Sequence, residues 1–74
     1  MKSVEVKEIF TNDGYVNILI DNNEKYEMIY RAAKGVYWDD ELSSLFYKGI
    51  VSQEEALCFI SEALENESNI KLIL

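Results

Sequence analysis

Between Ser52 and Glu65 the apolar residues recur at helical spacing. At 100° per residue, Ala56, Leu57, Phe59, Ile60, Ala63 and Leu64 share one side, and Glu54, Glu55, Cys58, Ser61, Glu62 and Glu65 share the other. Ser52 and Glu55 have the spacing of a capping box, in which each side chain satisfies a free first-turn N–H. Burying two Leu, one Ile and one Phe is worth roughly 1.5–3 kcal/mol each, far more than helix propensity supplies. The stretch is therefore a helix that needs a partner surface, and the preceding chain has to provide it.

Upstream, the period drops to two. Val4 and Val6 lie on one face and Glu5 and Lys7 on the other, but Glu8 then falls on the apolar face and Ile9 on the polar one. Asp13-Gly14 marks a turn, after which Val16, Ile18 and Ile20 share a face. Pairing Phe10 with Tyr15 across a four-residue loop sets Ile9 opposite Val16. Val6 then meets Ile18 only if the first strand holds an extra residue, which predicts a β-bulge near Lys7–Glu8. A Glu8 at a solvated edge is the alternative.

Lys25 to Arg31 reads as a third strand with Tyr26, Met28 and Tyr30 in phase. A three-residue loop over Asn22 to Glu24, with Asn in the left-handed position, sets Met28 opposite Ile18. Gly35 breaks that strand, and Val36-Tyr37-Trp38 is either a short extended piece or the lead into a helix. That helix would be capped by Asp39 or Asp40, carry Leu42, Leu45 and Phe46 on its buried stripe, and end at Lys48-Gly49 with Ile50 folded back on Leu45. After the long helix, Asn66 to Asn69 form a polar turn, and Ile70 to Leu74 make a fourth strand added to the meander. The expected fold is α+β, one domain over residues 1–74: a three-stranded antiparallel meander, two helices packed on one face and a short C-terminal strand.

Composition narrows the class. A chain of 74 residues with 49% hydrophobic content and nine aromatics folds as a single small domain with a thin core. No apolar run nears the ~18 residues that span a bilayer, and the charged, alternating start is unlike a signal peptide. With one Cys, no internal disulfide forms, and the cytoplasm is the expected location.

Net charge is −7 and unevenly placed. Residues 1–38 carry six acids and five bases; residues 39–67 carry eight acids and one base, Lys48. That balance argues against direct contact with nucleic acid or an anionic membrane, both of which need clustered Lys and Arg.

Catalysis is poorly provisioned. The chain has no His, no Cys-His or Ser-His-Asp set, no Gly-rich phosphate loop and no Cys cluster. No enzyme, cofactor or metal is expected. Gly49 to Glu55 matches the second half of an EF-hand loop, but the upstream ligand positions are Ser44, Phe46 and Lys48, which offer calcium no carboxylate. Over Leu42 to Leu57 the chain resembles the helix–Gly-Ile–Ser-x-Glu-Glu–helix pattern of the short C-terminal oligomerisation modules called SHOCT domains. That resemblance implies a helical hairpin and is a shared local solution.

Binding residues are better supplied. Glu54, Glu55, Glu62 and Glu65 have no Lys or Arg on their own helix to offset them, and Glu62 and Glu65 oppose its dipole. With Asp39, Asp40 and Glu41 they suggest an acidic stripe that docks on a basic protein surface; in its sharpest form this is a DNA mimic blocking a nucleic-acid-binding protein. Nine aromatics exceed what a small core encloses, so Tyr37 and Trp38, with Tyr15, Tyr30 and Tyr47, are candidate anchors. The expected function is that of a small acidic binding or regulatory domain. The alternative is a homodimeric accessory module joined through Ile70 to Leu74.

Overall fold

The computed structural model describes residues 1–22 and 24–74. It is α+β: a mixed five-stranded curled sheet with one α-helix on one face. The strands are β1 (Lys2–Asn12), β2 (Tyr15–Ile20), β3 (Val36–Asp39), β4 (Ser44–Tyr47) and β5 (Ile70–Ile73), arranged β3-β4-β2-β1-β5. The helix, α1, runs Gln53–Ser68, and a 3₁₀ helix covers Ile29–Ala32.

The β1–β2 hairpin turns on Asp13 and Gly14 at φ 54° and 82°, the double left-handed geometry of a tight two-residue turn. Asn12 therefore faces Tyr15 and Ile9 faces Ile18, two residues out from the expected four-residue loop. The bulge is present: the register shifts between Val6 and Glu8. Lys7 is the extra residue, and it lets Val6 and Ile9 face Ile20 and Ile18 despite their odd spacing.

The expected third strand does not form. Lys25 to Met28 run irregularly into the 3₁₀ helix, with Tyr26 and Ile29 buried, Ala32 half-buried, and Met28 and Tyr30 exposed. Those buried positions recur every three residues, the 3₁₀ period. The strand reading placed Ile29 on a charged face between Glu27 and Arg31, and the fold removes that conflict. The loop proposed over Asn22 to Glu24 thus leads to no strand, and Asn23 lies outside the described residues.

The expected first helix, from Asp39 or Asp40 to Gly49, is also replaced. Val36–Asp39 and Ser44–Tyr47 form a β-hairpin, with Trp38 opposite Leu45. Asp39 makes the contacts of a helix cap, accepting from the backbone N–H groups of Glu41 and Leu42 at 3.0 Å each. The chain then turns at Ser43, φ 53°, and does not continue helically. Two isolated helical turns are marginal in water; pairing with β3 on one side and β2 on the other gives the same residues a ladder. Ile50 does not fold back on Leu45 and is exposed. The two-helix hairpin implied by the SHOCT-like pattern is consequently absent.

The long helix forms as expected and runs one turn further. The Ser52 hydroxyl accepts from Glu55 N–H at 3.2 Å, as the capping box requires, but the Glu55 carboxylate accepts from that hydroxyl at 3.1 Å in place of the Ser52 N–H. Asn69, left-handed at φ 54°, ends the helix. β5 then adds to the sheet in parallel beside β1, Lys2 opposite Ile70. Ile70 and Leu72 point into the core, while Ile73 and Leu74 are exposed. The core lies between α1 with the 3₁₀ helix and one sheet face; Ile18, Leu45, Ile60 and Leu64 are fully enclosed. Among the described residues, no helix is long and apolar enough to cross a membrane.

Tyr26 closes one end of this core, edge-on to Trp38 at 5.8 Å. Its hydroxyl accepts from the Asn22 amide at 2.9 Å and lies 3.3 Å from the Glu24 carboxylate. Burial pushes the phenol's pKa up, against the Asn22 hydrogen bond and with help from the Glu24 charge. A folded pKa above the unfolded value means full stabilisation below about pH 10, lost as pH rises through the folded value. Urea midpoints taken at about pH 8 and about pH 11 should therefore fall further for the native protein than for Tyr26→Phe. Equal falls would remove Tyr26 as the cause.

Candidate binding face

Strand alternation sends half of each strand away from the helix. Across the middle of that open face, Tyr37, Phe46, Asn17 and Phe10 stand opposite one another in a single row over β3, β4, β2 and β1. One pleat further along, Asp39 pairs with Ser44; on the other side, Asn12 pairs with Tyr15. The Phe46 ring is in contact with two neighbours: Tyr15 at 6.0 Å and 19°, and Tyr37 at 6.0 Å and 34°. The Lys48 ammonium sits 5.8 Å from the centre of the Tyr37 ring.

Beside these rings, Asn17 and Ser44 are buried polar residues on a sheet face that no helix covers. The Ser44 hydroxyl donates to Asn17 Oδ1 at 2.7 Å, and Asn17 Nδ2 donates to the Tyr15 carbonyl at 3.0 Å. The pair satisfies itself and fixes the register of β4 on β2. Above it runs a groove of about 350 Å³, lined by Tyr15, Tyr37, Phe46, Asp13, Asp39 and Lys48 among others. A smaller groove of about 160 Å³ lies between Ile20, Lys25, Trp38 and Ser43.

The residues singled out from sequence are distributed over two surfaces. Tyr37 and Asp39 belong to the open face. Trp38, their neighbour, turns to the helix side and packs on the core. Its indole N–H donates to Asp40 at 3.3 Å, and Lys25 lies 3.6 Å from the same carboxylate oxygen. Glu41 is exposed in the β3–β4 turn. Glu54, Glu55, Glu62 and Glu65 lie along the solvent side of α1, on the opposite layer from Asp39. Among the described residues only Glu62 of these four has a basic partner, Lys34 at 3.6 Å, and such a surface pair is worth at most about 1 kcal/mol. Glu62 also accepts from the Cys58 thiol at 3.7 Å. Asp39 and the helical acids thus lie on opposite sides of the sheet, while Asp40 is held from the helix side by Trp38.

Tyr47, another aromatic flagged from sequence, belongs to the covered side, where it stacks on Phe59 at 4.6 Å and 12°. Sequence reasoning missed Asn17, Phe46 and Lys48. The available signal was that Tyr15 and Asn17 share the β2 face opposite Val16, Ile18 and Ile20; reading Leu45 and Phe46 as a helical stripe concealed what lay beside them.

The chain matches no family model, no curated protein and no solved structure in the comparisons made.

Proposed function

We propose that this protein is a small non-catalytic binding domain that occupies the surface of a protein partner carrying basic side chains. The observation that carries this reading is the open sheet face: three aromatic rings in contact around a groove, on the side of the sheet that α1 leaves uncovered. Rigid aromatics on a strand lose little conformational freedom on docking and are the usual anchors of an interface. Tyr37, on a sheet-edge strand and partly exposed, is the foremost of them.

Charge supplies the partner's chemistry. The net charge of −7, with Glu54, Glu55 and Glu65 unopposed on α1, produces a negative field that draws a cationic surface and repels nucleic acid. In this reading the helical acids steer the approach and the aromatic face makes the close contact. Blocking of a nucleic-acid-binding protein is the narrower form, in which the negative field competes with a nucleic acid for that partner's basic surface.

A photoreactive amino acid at position 37, with one at Glu27 as control, tests this in cells expressing the protein. The expected result is a specific adduct from position 37 that is absent from position 27. Its partner should release more readily in high salt and from Glu54→Lys, Glu65→Lys. No adduct, or the same adducts from both positions, would remove the reading.

A further inference from the structure

We infer that the groove on the open face receives an arginine side chain of the partner protein, stacked on Tyr37 in the place Lys48 now holds. The inference rests on the binding-domain reading and names the chemistry of its contact. Lys48 is the chain's own demonstration that the Tyr37 ring presents a face to a cation, with Nζ 5.8 Å from the ring centre. Among the described residues that ammonium lies within 4 Å of no carboxylate, so the ring is the cationic head's evident neighbour.

The rest of the groove suits a guanidinium better than an ammonium. Its middle is aromatic, Tyr15 and Phe46 continuing from Tyr37. Its lining includes two carboxylates, Asp13 from the β1–β2 turn and Asp39 from the end of β3. Asp39 commits one oxygen to the backbone of Glu41 and Leu42; among the described residues its other oxygen has no hydrogen-bond donor. A planar guanidinium stacks on a ring while its edge forks toward a carboxylate, and it sheds water more readily than an ammonium. Two acids against one base leave the groove anionic, so an incoming cation is favoured over an incoming carboxylate.

Lys48 is then an internal competitor. Removing it frees the ring and deletes the groove's only positive charge among its lining residues, so Lys48→Gln strengthens arginine binding. Were the groove built for an anion, the same change would weaken binding.

The test is an amide-shift titration of the isotopically labelled protein with capped Gly-Gly-Arg-Gly-Gly and its Lys and Glu counterparts. The Arg peptide should move the resonances of Tyr15, Tyr37, Phe46 and Lys48 and leave those of Glu54 to Glu65 in place. Lys48→Gln should bind it about two- to five-fold more tightly. Tyr37→Leu, which keeps a strand-compatible apolar residue, should lose it by at least as much; if that variant fails to fold, the Lys48→Gln comparison decides alone. Shifts confined to the helix, a Lys or Glu peptide binding as well as the Arg peptide, or weaker binding by Lys48→Gln would each overturn the inference. A position-37 adduct whose partner contacts the groove without arginine would overturn it too, while leaving the binding-domain reading standing.

Discussion

Replacing Ile60 with alanine is expected to cost about 2–5 kcal/mol of folding free energy, the range for truncating an enclosed Ile or Leu. Ile60 has no solvent exposure and stands in one cluster with Ile18, Leu45 and Leu64, so the lost methyl groups leave a void bounded by both layers. A domain of this length holds only about 4–11 kcal/mol in total. If the total lies near the lower end of that range, the upper half of the cost would leave much of the population unfolded. Urea unfolding checks this: the midpoint should fall with the slope unchanged. Ile50, 79% exposed, is the matched control, and Ile50→Ala should move stability by no more than about 0.5 kcal/mol. Similar losses at the two sites would refute the two-layer core.

Gly49→Ala is expected to cost about 1–3 kcal/mol through overpacking. A β-carbon there would lie 2.6 Å from Cε2 of Tyr47, too close for any real contact. The ring is held on more than one side. Its other edge approaches Gly35, where a β-carbon would stand 3.0 Å from Cε1, and its face stacks on Phe59. Gly35 is itself left-handed, φ 74°, so both glycines frame one aromatic ring and one of them also makes the bend before β3. A double-mutant cycle isolates the clash: in a Tyr47→Ala background, Gly49→Ala should cost almost nothing. The same cost in both backgrounds would place the penalty in the backbone.

Legibility in the sequence followed locality. The long helix could be read because its cap and period lie within one stretch, Ser52 to Glu65; its last turn could not, because Asn66 to Asn69 have the polar composition of a loop. The bulge could be read because two strands disagreed in phase across a hairpin. The β3–β4 hairpin could not, because Leu42, Leu45 and Phe46 fit a helical stripe and Asp39 makes a cap's hydrogen bonds in either conformation. What decides between them is the register of β4 on β2, Asn17 against Phe46, nearly thirty positions away. The same distant pairing assembles the open face. An excess of aromatics pointed to Tyr37, but nothing near it in sequence showed that Phe46, Asn17 and Lys48 would be its neighbours.

The parallel seam between β1 and β5 also bears on how the molecule comes together. The β1–β2 hairpin closes over two residues, whereas Lys2 meets Ile70 only after a span of 70 − 2 = 68 positions has been drawn shut. At about 0.6 kcal/mol per doubling of loop length, five doublings add roughly 3 kcal/mol of entropy to that encounter. That cost is met more easily once α1 has packed and drawn Ile70 toward Lys2, so this pairing is expected to close after the β1–β2 hairpin. By the same reasoning, the four-pair seam between β1 and β5 is where local opening is expected first.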